Sequence, residues 1–242
     1  DTDTDTDTDT DTDTDVDLGP ADGDCGEPHH SNTFLRIDAD GGAEQIQTFC
    51  DAGYNGITGN LVVNDATTLD GLQCLCHVEG NIVISGSGLT SLDGLEGVEI
   101  VDGDIQIARN TALERIDALD RMTVFSGAIT VEDNQALTSL QGLEGIGQAT
   151  TVTIENNPAL TGGAGLGGLV QTQDLVVIDT PLQDLDMPFL TTIDGEFTLI
   201  GTDLQLLDLP SLTDVTGSFK FSENTGDITQ GGTGAPVAIG GQ

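Results

Sequence analysis

The sequence predicts an all-β protein built as a parallel β-solenoid of about eight coils. Three observations predict this fold. Short segments of alternating apolar residues recur at nearly constant spacing, a glycine often lies just before each segment, and evenly spaced leucines follow it. Internal repeats of roughly 20–50 residues are typical of solenoids, in which each coil packs only on its neighbours.

Eight repeated segments are predicted to be the principal strands of the coils. Their first apolar residues lie 21 to 24 residues apart and are Leu61, Ile82, Ile105, Ile129, Val152, Leu175, Phe197 and Phe219. Because side chains alternate between the two faces of a strand, the first and third apolar residues should face inward. In the last coil, Phe219 and Phe221 form this inward pair. In the sixth coil, the run LVVI at 175–178 leaves the register open.

The segments between the strands predict tight corners and short walls. In six repeats a glycine lies two residues before the first apolar residue, at Gly59, Gly80, Gly103, Gly127, Gly195 and Gly217. Such glycines are expected at tight corners between coils. After each strand come a polar turn and leucines about three residues apart, such as Leu89, Leu92 and Leu95, without helix-forming residues between them. Stacked coils would bury these leucines in one continuous aliphatic column.

The chain divides into four parts. Residues 1–24 form a low-complexity leader, 25–58 a cysteine-containing N-terminal cap, 59–224 the solenoid repeats, and 225–242 a Gly-rich C-terminal tail. Within the leader, residues 1–17 alternate Asp and Thr, and like charges repeating along an extended chain favour a disordered spacer, or stalk. The tail, with an apolar group at 237–239, is expected either to be a true tail or to form a last coil that has lost its repeat.

The leader threonines are candidate sites for O-linked sugars. Thr-rich tracts of surface proteins often form glycosylated stalks. The seven candidates are Thr2, Thr4, Thr6, Thr8, Thr10, Thr12 and Thr14. The sequence contains no Asn-x-Ser/Thr sequon, so N-glycosylation is not indicated.

The four cysteines all lie in the first third of the chain, at Cys25, Cys50, Cys74 and Cys76. An even number near one end predicts a disulfide-bearing cap and an oxidising, extracellular compartment, with the connectivity open. The alternative is a metal site made by Cys74, Cys76 and His77 together with Cys25, His29 or His30. The CxCH motif lacks the two-residue spacer of a zinc knuckle, so disulfides are favoured and no metal site is predicted.

The charge of the chain excludes several classes of partner. Acidic residues outnumber basic ones by 42 to 5, giving a net charge of −37, of which the leader contributes eleven aspartates and no base. Such a surface repels phosphate, so no nucleic-acid partner is expected. No cofactor is expected beyond loosely bound Ca²⁺ on the Asp-Thr tract, because an EF-hand register starting at Asp13 places Leu18 and Asp24 where Gly and Glu are required. No apolar run approaches the roughly 20 residues of a membrane span.

An enzymatic function is not predicted. The motifs GxSxG, HExxH and the P-loop do not occur in the sequence. A minor alternative is a polysaccharide-active β-helix enzyme, but such clefts need long loops, and steps of 21–24 residues leave no room for them. The only basic cluster is Arg109, Arg115 and Arg121. These arginines are expected to form ion pairs with Glu114, Asp117 and Asp120.

The middle residue of each strand is predicted to face outward, and together these residues form one column. They are Val62, Val83, Gln106, Thr130, Thr153, Val176, Thr198 and Lys220. A flat parallel sheet is a natural docking surface for an extended ligand or for a second copy of the chain. The alternative is an ordinary solvent-facing surface.

The repeat text resembles the receptor L domain family over about residues 45–224. The segments GNIVISGSGLTSLDGLEGVEIVDGDIQI, IENNPAL and LPSLTDVTGSFKFSEN carry the resemblance. The family includes ligand-binding lobes of growth-factor receptors, fungal cell-wall glycoproteins and bacterial cell-surface proteins. The resemblance implies a right-handed, β-helix-like solenoid with a cysteine-bearing cap, used for binding and not for catalysis. The acidity, the Asp-Thr leader and the lack of a paired second lobe depart from the family pattern.

These inferences converge on an exported, non-enzymatic protein of the cell surface. The solenoid would be displayed on the acidic stalk and would bind a protein or a glycan. The alternative is a self-assembling subunit of an extracellular fibril, in which the leader and the Gly-rich tail run between copies.

Overall fold

A computed structural model describes residues 26, 29–39 and 42–224 and the two short strands at 229–231 and 238–239. The candidate glycosylation sites Thr2 to Thr14 and the cysteine Cys25 lie outside the described residues. The described chain is a mostly-β parallel solenoid of about eight turns, as predicted.

The regular elements follow one another in a repeating order along the chain. They are β1 (His30–Ser31), β2 (Leu35–Ile37), α1 (Gly42–Asp51), β3 (Gly56–Ile57), β4 (Leu61–Asn64), β5 (His77–Val78), β6 (Ile82–Ser85), β7 (Ile100–Val101), β8 (Ile105–Ala108), β9 (Val124–Phe125), β10 (Ile129–Glu132), β11 (Gln148–Glu155), β12 (Gln171–Ile178), β13 (Asp184–Asp186), β14 (Thr192–Ile193), β15 (Phe197–Ile200), β16 (Leu206–Asp208), β17 (Asp214–Val215), β18 (Phe219–Ser222), β19 (Thr229–Gly231) and β20 (Ala238–Ile239). Short 3-10 turns span Leu72–Cys74, Asp117–Leu119 and Ala164–Leu166.

The principal strands form one parallel sheet, the main sheet. Its order is β2-β4-β6-β8-β10-β11-β12-β15-β18, with equivalent residues of successive coils paired, as in Leu61↔Ile82↔Ile105. A second sheet, β1-β3-β5-β7-β9, forms the adjoining wall, and β14-β17-β20 pair in the same way in the later coils. The strands β13-β16-β19 line a third wall. The ladders through β19 and β20 show that strand pairing continues beyond residue 224.

The inward stacking is confirmed through seven coils, and the main-sheet core from Leu61 to Leu199 is aliphatic except for Phe197. In the sixth coil, Leu175 and Val177 are buried and Val176 faces outward, which settles the register. The last coil differs from the prediction, since Phe221 is 40% exposed. Among the described residues, β18 is the last strand of the main sheet, so its side chains have an apolar layer on one side only.

The corners have a different origin from the one predicted. The residue directly after each of the eight predicted strands has a positive φ: Asp65, Gly86, Arg109, Asp133, Asn156, Asp179, Gly201 and Glu223. Most are Asp, Asn or Gly, the residue types that best tolerate this conformation. The predicted corner glycines do not have positive φ; a Cβ at Gly103 or Gly127 would instead collide with the backbone of the preceding coil. These glycines allow close stacking rather than a left-handed turn.

Buried asparagines connect the corners of neighbouring coils. Asn110, Asn134 and Asn157 are completely buried at equivalent positions. The amide of Asn134 donates to the carbonyl of Ile107 at 2.9 Å, and its side-chain oxygen accepts from the backbone N–H of Asn110 at 3.1 Å. The same pattern recurs in the next coil, where the amide of Asn157 donates to the carbonyl of Val131 and its side-chain oxygen accepts from the backbone N–H of Asn134. This asparagine ladder satisfies backbone groups that a buried corner would otherwise leave unpaired.

The N-terminal cap contains a helix that the sequence did not indicate. Helix α1 buries Ile46 and Phe49 against the first coil, and Cys50 near its end forms a disulfide with Cys74, with a Cα–Cα distance of 5.9 Å. Cys76 is disulfide-bonded as well. The predicted disulfide-bearing cap is therefore confirmed. Cys74 and Cys76 are not free to ligate a metal, so the alternative cysteine-based metal site is wrong.

Candidate binding face

The outward side of the main sheet is the surface that the sequence predicts to bind a ligand, and we call it the outer face. Its central column runs across nine strands in register: Arg36, Val62, Val83, Gln106, Thr130, Thr153, Val176, Thr198 and Lys220. At a strand spacing of about 4.8 Å, nine strands span about 38 Å. The column is long enough to contact several units of a linear polymer.

Arg36 belongs to this column although the sequence analysis missed it. It lies between Leu35 and Ile37, which alternate inward like the other principal strands. The next strand begins at Leu61, 26 residues after Leu35, because helix α1 lengthens the first coil. That step falls outside the 21–24-residue repeat. The alternation of Leu35 and Ile37 was the only signal that could have revealed it.

Six residues of the column have the exposure expected of an open surface. Val62, Val83, Gln106, Thr130, Thr153 and Val176 are all half-buried. Their side chains supply methyl, hydroxyl and amide groups and no charge. Such a strip can bind a ligand by apolar contact and by neutral hydrogen bonds.

Thr198 is a correction to the predicted column. Only 1% of this residue is exposed, so a ligand cannot reach it. Its hydroxyl donates to Glu196, whose carboxylate also binds Lys220 Nζ at 2.7 Å. These two hydrogen bonds lower the pKa of Glu196, the bond from Lys220 having the larger effect. The C-terminal end of the column is thus occupied by its own ion pair.

The charges of the outer face lie at its ends and sides. Arg36 and Lys220 mark the two ends of the central column, and Glu132 and Glu155 lie at the ends of β10 and β11. Each of the two basic residues is paired, Arg36 with Asp38 at 3.3 Å and Lys220 with Glu196. An uncharged strip therefore crosses the middle of a strongly acidic protein.

An exposed aromatic ring lies at the N-terminal end of the outer face. Phe34 is 63% exposed and borders two shallow depressions of about 650 and 670 Å³. The first depression also contains Asn60 and Val62, so it opens directly onto the central column. The second contains Tyr54 and Arg36. Aromatic side chains at such positions often anchor a ligand.

The arginine cluster is a set of ion pairs, as expected, but most partners differ from the predicted ones. Arg115 binds Asp117 at 2.7 Å, and also Asp93 in the preceding coil. The hydrogen bond that Arg115 donates to Asp117 is the main cause of a raised pKa at Arg115. The pairs formed by the other two arginines are Arg109 with Glu132 at 3.6 Å and Arg121 with Glu99 at 3.3 Å. Stacking places residues one coil apart side by side, which favours these partners over Glu114 and Asp120.

The part of the chain that the structure describes has neither a membrane-spanning helix nor a metal-binding cluster of three or more side chains. There, no helix is both long and apolar enough to cross a membrane. In the same residues, no group of three or more His, Cys, Asp and Glu side chains is arranged to hold a metal ion.

These features define a class of protein: a parallel β-solenoid with a disulfide-bearing cap and a flat, uncharged strip on its main sheet. Comparison with protein families makes the likeness more specific. The family model described as the receptor L domain matches residues 56–162. This part of the chain, which includes five of the principal strands, is therefore receptor L domain-like. Comparisons with curated proteins and with solved structures found no match.

Proposed function

We propose that this protein is an exported, non-enzymatic binding module that recognises a protein or a glycan at the cell surface through its outer face. One observation carries the proposal: a half-buried, uncharged strip crosses six consecutive coils of a chain with a net charge of −37. The receptor L domain match and the Cys50–Cys74 disulfide support a binding role outside the cell.

The chemistry of the strip favours an extended ligand that lies across the coils. Thr130 and Thr153 lie side by side in register, so adjacent coils offer equivalent hydroxyl groups. Val62 and Val83 offer the same repetition with methyl groups. A linear ligand can therefore make several similar weak contacts, while Phe34 anchors one of its ends. Many weak contacts and one aromatic anchor are a common basis for specific binding.

The test is a binding screen in which the outer face is blocked. The double variant T130R/T153R places two long, charged side chains on the strip, and Q141R adds a charge to another wall of the same coil as Thr130. Wild-type protein is screened against a glycan array and a panel of secreted proteins. For each ligand found, T130R/T153R should bind at least about tenfold more weakly, a loss of about 1.4 kcal/mol, whereas Q141R should bind like the wild type. Equal binding by both variants would exclude the outer face.

We further propose that residues 1–24 serve as a stalk and that Thr2 to Thr14 carry O-linked sugars. The regular hydroxyl spacing and the absence of apolar residues before Val16 support this. Intact mass spectrometry of protein secreted by its native source would show an excess mass confined to the leader peptide. An unmodified leader would contradict the proposed O-glycosylation. It would not affect the proposal that the outer face binds a ligand.

Self-assembly into a fibril is the second candidate, and one observation favours it. Phe221 is exposed at the last described strand of the main sheet, and its ring stacks on Phe219 with centroids 6.3 Å apart. An apolar strand at the end of a solenoid can pair with another copy. Sedimentation and negative-stain imaging would reveal assemblies of the wild-type protein. The variant F221D should remain monomeric under the same conditions. A monodisperse wild-type monomer at high concentration would contradict this candidate.

A further inference from the structure

Two of the three histidines of the chain meet on the second wall of the solenoid. His30 is the first residue of β1 and His77 the first residue of β5. The Nε2 atom of His30 faces the Nδ1 atom of His77 at 3.0 Å, with the ring planes inclined at 69°. Both side chains are only partly exposed, by 19% and 13%. The outer-face proposal does not involve this pair.

In each histidine, the ring nitrogen that faces away from the other ring contacts a carboxylate. His30 Nδ1 lies 2.8 Å from Glu79 Oε1, and His77 Nε2 lies 2.9 Å from Asp102 Oδ2. A carboxylate favours the tautomer in which the nitrogen facing it carries the proton. In that tautomer the inner nitrogens of the two neutral rings present lone pairs to each other. Two facing lone pairs repel, and either a shared proton or a metal ion between the two nitrogens would remove that repulsion.

A glycine on the strand between the two histidines leaves room for their rings to contact each other. Strand β3 lies between β1 and β5, and its residue Gly56 is in register with both His30 and His77. A Cβ atom at position 56 would collide with the imidazole of His30. Only glycine therefore leaves room for the His30 ring to reach across a whole coil. The contact follows from this local sequence and not from a chance approach of two mobile side chains.

We propose that His30 Nε2 and His77 Nδ1 bind a late first-row divalent transition-metal ion such as Zn²⁺, Cu²⁺ or Ni²⁺. Imidazole suits these ions, and a carboxylate on the outer nitrogen is the usual support of a metal-bound histidine. Two nitrogens at about 2.0–2.1 Å from a tetrahedral ion lie roughly 3.3 Å apart, so the rings need to separate only slightly. Water completes the coordination through the exposed side of the pair. The protein supplies two ligands, fewer than the three or more expected of a closed structural site.

A bound ion would connect coils that are not neighbours. It joins β1 to β5 across β3, and Asp102 extends the connection to the following coil. The Cys50–Cys74 disulfide lies in the same end of the solenoid. The ion would therefore add a second crosslink to the end that already carries the cap.

The decisive measurement uses the imidazole signals of the full chain. Because the sequence contains only three histidines, their ring resonances can be assigned from single substitutions. Zn²⁺ is added in the presence of millimolar Mg²⁺, which saturates loose sites on the acidic surface. The signals of His30 and His77 should shift together at one equivalent, while His29, which contacts the carbonyl of Gly53, should not respond. No response at His30 and His77 would show that the pair shares only a proton and would overturn the proposal.

Substitutions give an independent test by calorimetric Zn²⁺ titration. H30A, H77A and G56A should each abolish the one-equivalent binding event, and E79Q should weaken it about tenfold. The matched control is H29A, which removes a histidine outside the pair and should bind like the wild type. G56A is the sharpest variant, because it leaves both histidines in the chain. Unchanged binding by G56A or H77A, with folding verified by circular dichroism, would also contradict the proposal.

Discussion

The two ends of the solenoid are stabilised in different ways. At the N-terminal end, helix α1, the Cys50–Cys74 disulfide and the histidine network connect one coil to the next through side chains. At the C-terminal end, the described residues provide the strand ladder, the Phe197–Phe219 contact, the Glu196–Lys220 ion pair and the hydrogen bonds of Asn224 with Thr202 and the Leu199 carbonyl. Because each coil of a solenoid depends mainly on its neighbours, the end with fewer crosslinks should open first.

The largest expected effect comes from the disulfide. The double variant C50A/C74A should lower the free energy of unfolding by about 3 kcal/mol, because the bond closes a loop of 24 residues. Urea unfolding of the variant and of the wild type, both without reductant, measures the difference. A change below about 0.5 kcal/mol would mean that the cap does not depend on this bond.

The second expected effect compares equivalent positions at the two ends. Leu61 and Phe219 each begin a principal strand, but Leu61 is fully buried and Phe219 only partly. L61A should therefore cost about 3 kcal/mol, whereas F219A should cost about 1 kcal/mol. Urea unfolding gives both values, and amide hydrogen exchange should be faster in β18 than in β4. Equal costs would mean that the two ends are equally well packed.

The smallest expected effect is electrostatic and lies at the C-terminal end. Lys220 and Thr198 lower the pKa of Glu196, so folding is favoured where Glu196 is ionised. This contribution is present above the pKa of the unfolded state and is lost as the pH falls through the lowered pKa of the folded state. Since the pair is largely exposed, its contribution should stay below about 1 kcal/mol. In K220Q, the NMR titration of Glu196 should move to higher pH; an unchanged titration would contradict the ion pair.

The repeated alternation of the principal strands was predictable, and the parts of the structure that occur once were not. The alternation from Leu61 to Leu199 is repeated seven times, and each repetition strengthens the same inference about strand and register. Helix α1 occurs once, has no counterpart in the other coils and interrupts the spacing. The burial of Thr198 depends on Glu196 and Lys220, which meet only because they lie one coil apart.

The histidine pair shows what a search by coil length could have found. His30 and His77 are 47 residues apart in the chain, a distance that corresponds to two coils. In the sequence these histidines lie near the cysteines and suggest, as the alternative to disulfides, a zinc site of the knuckle type. Their position opposite each other, with Gly56 between, could not be predicted because the first strand of that wall was not recognised. Contacts between coils become predictable only once every coil has been assigned.

The asparagine ladder has a consequence for how this gene can change. Each buried asparagine donates to a strand carbonyl of the preceding coil and accepts from the corner N–H of that same coil. A duplicated segment of one coil, inserted next to its parent, would find both partners already in place. The deletion of a whole coil would likewise leave two compatible ends, whereas the loss of a few residues would break the ladder. We therefore expect homologues to differ in length by whole coils.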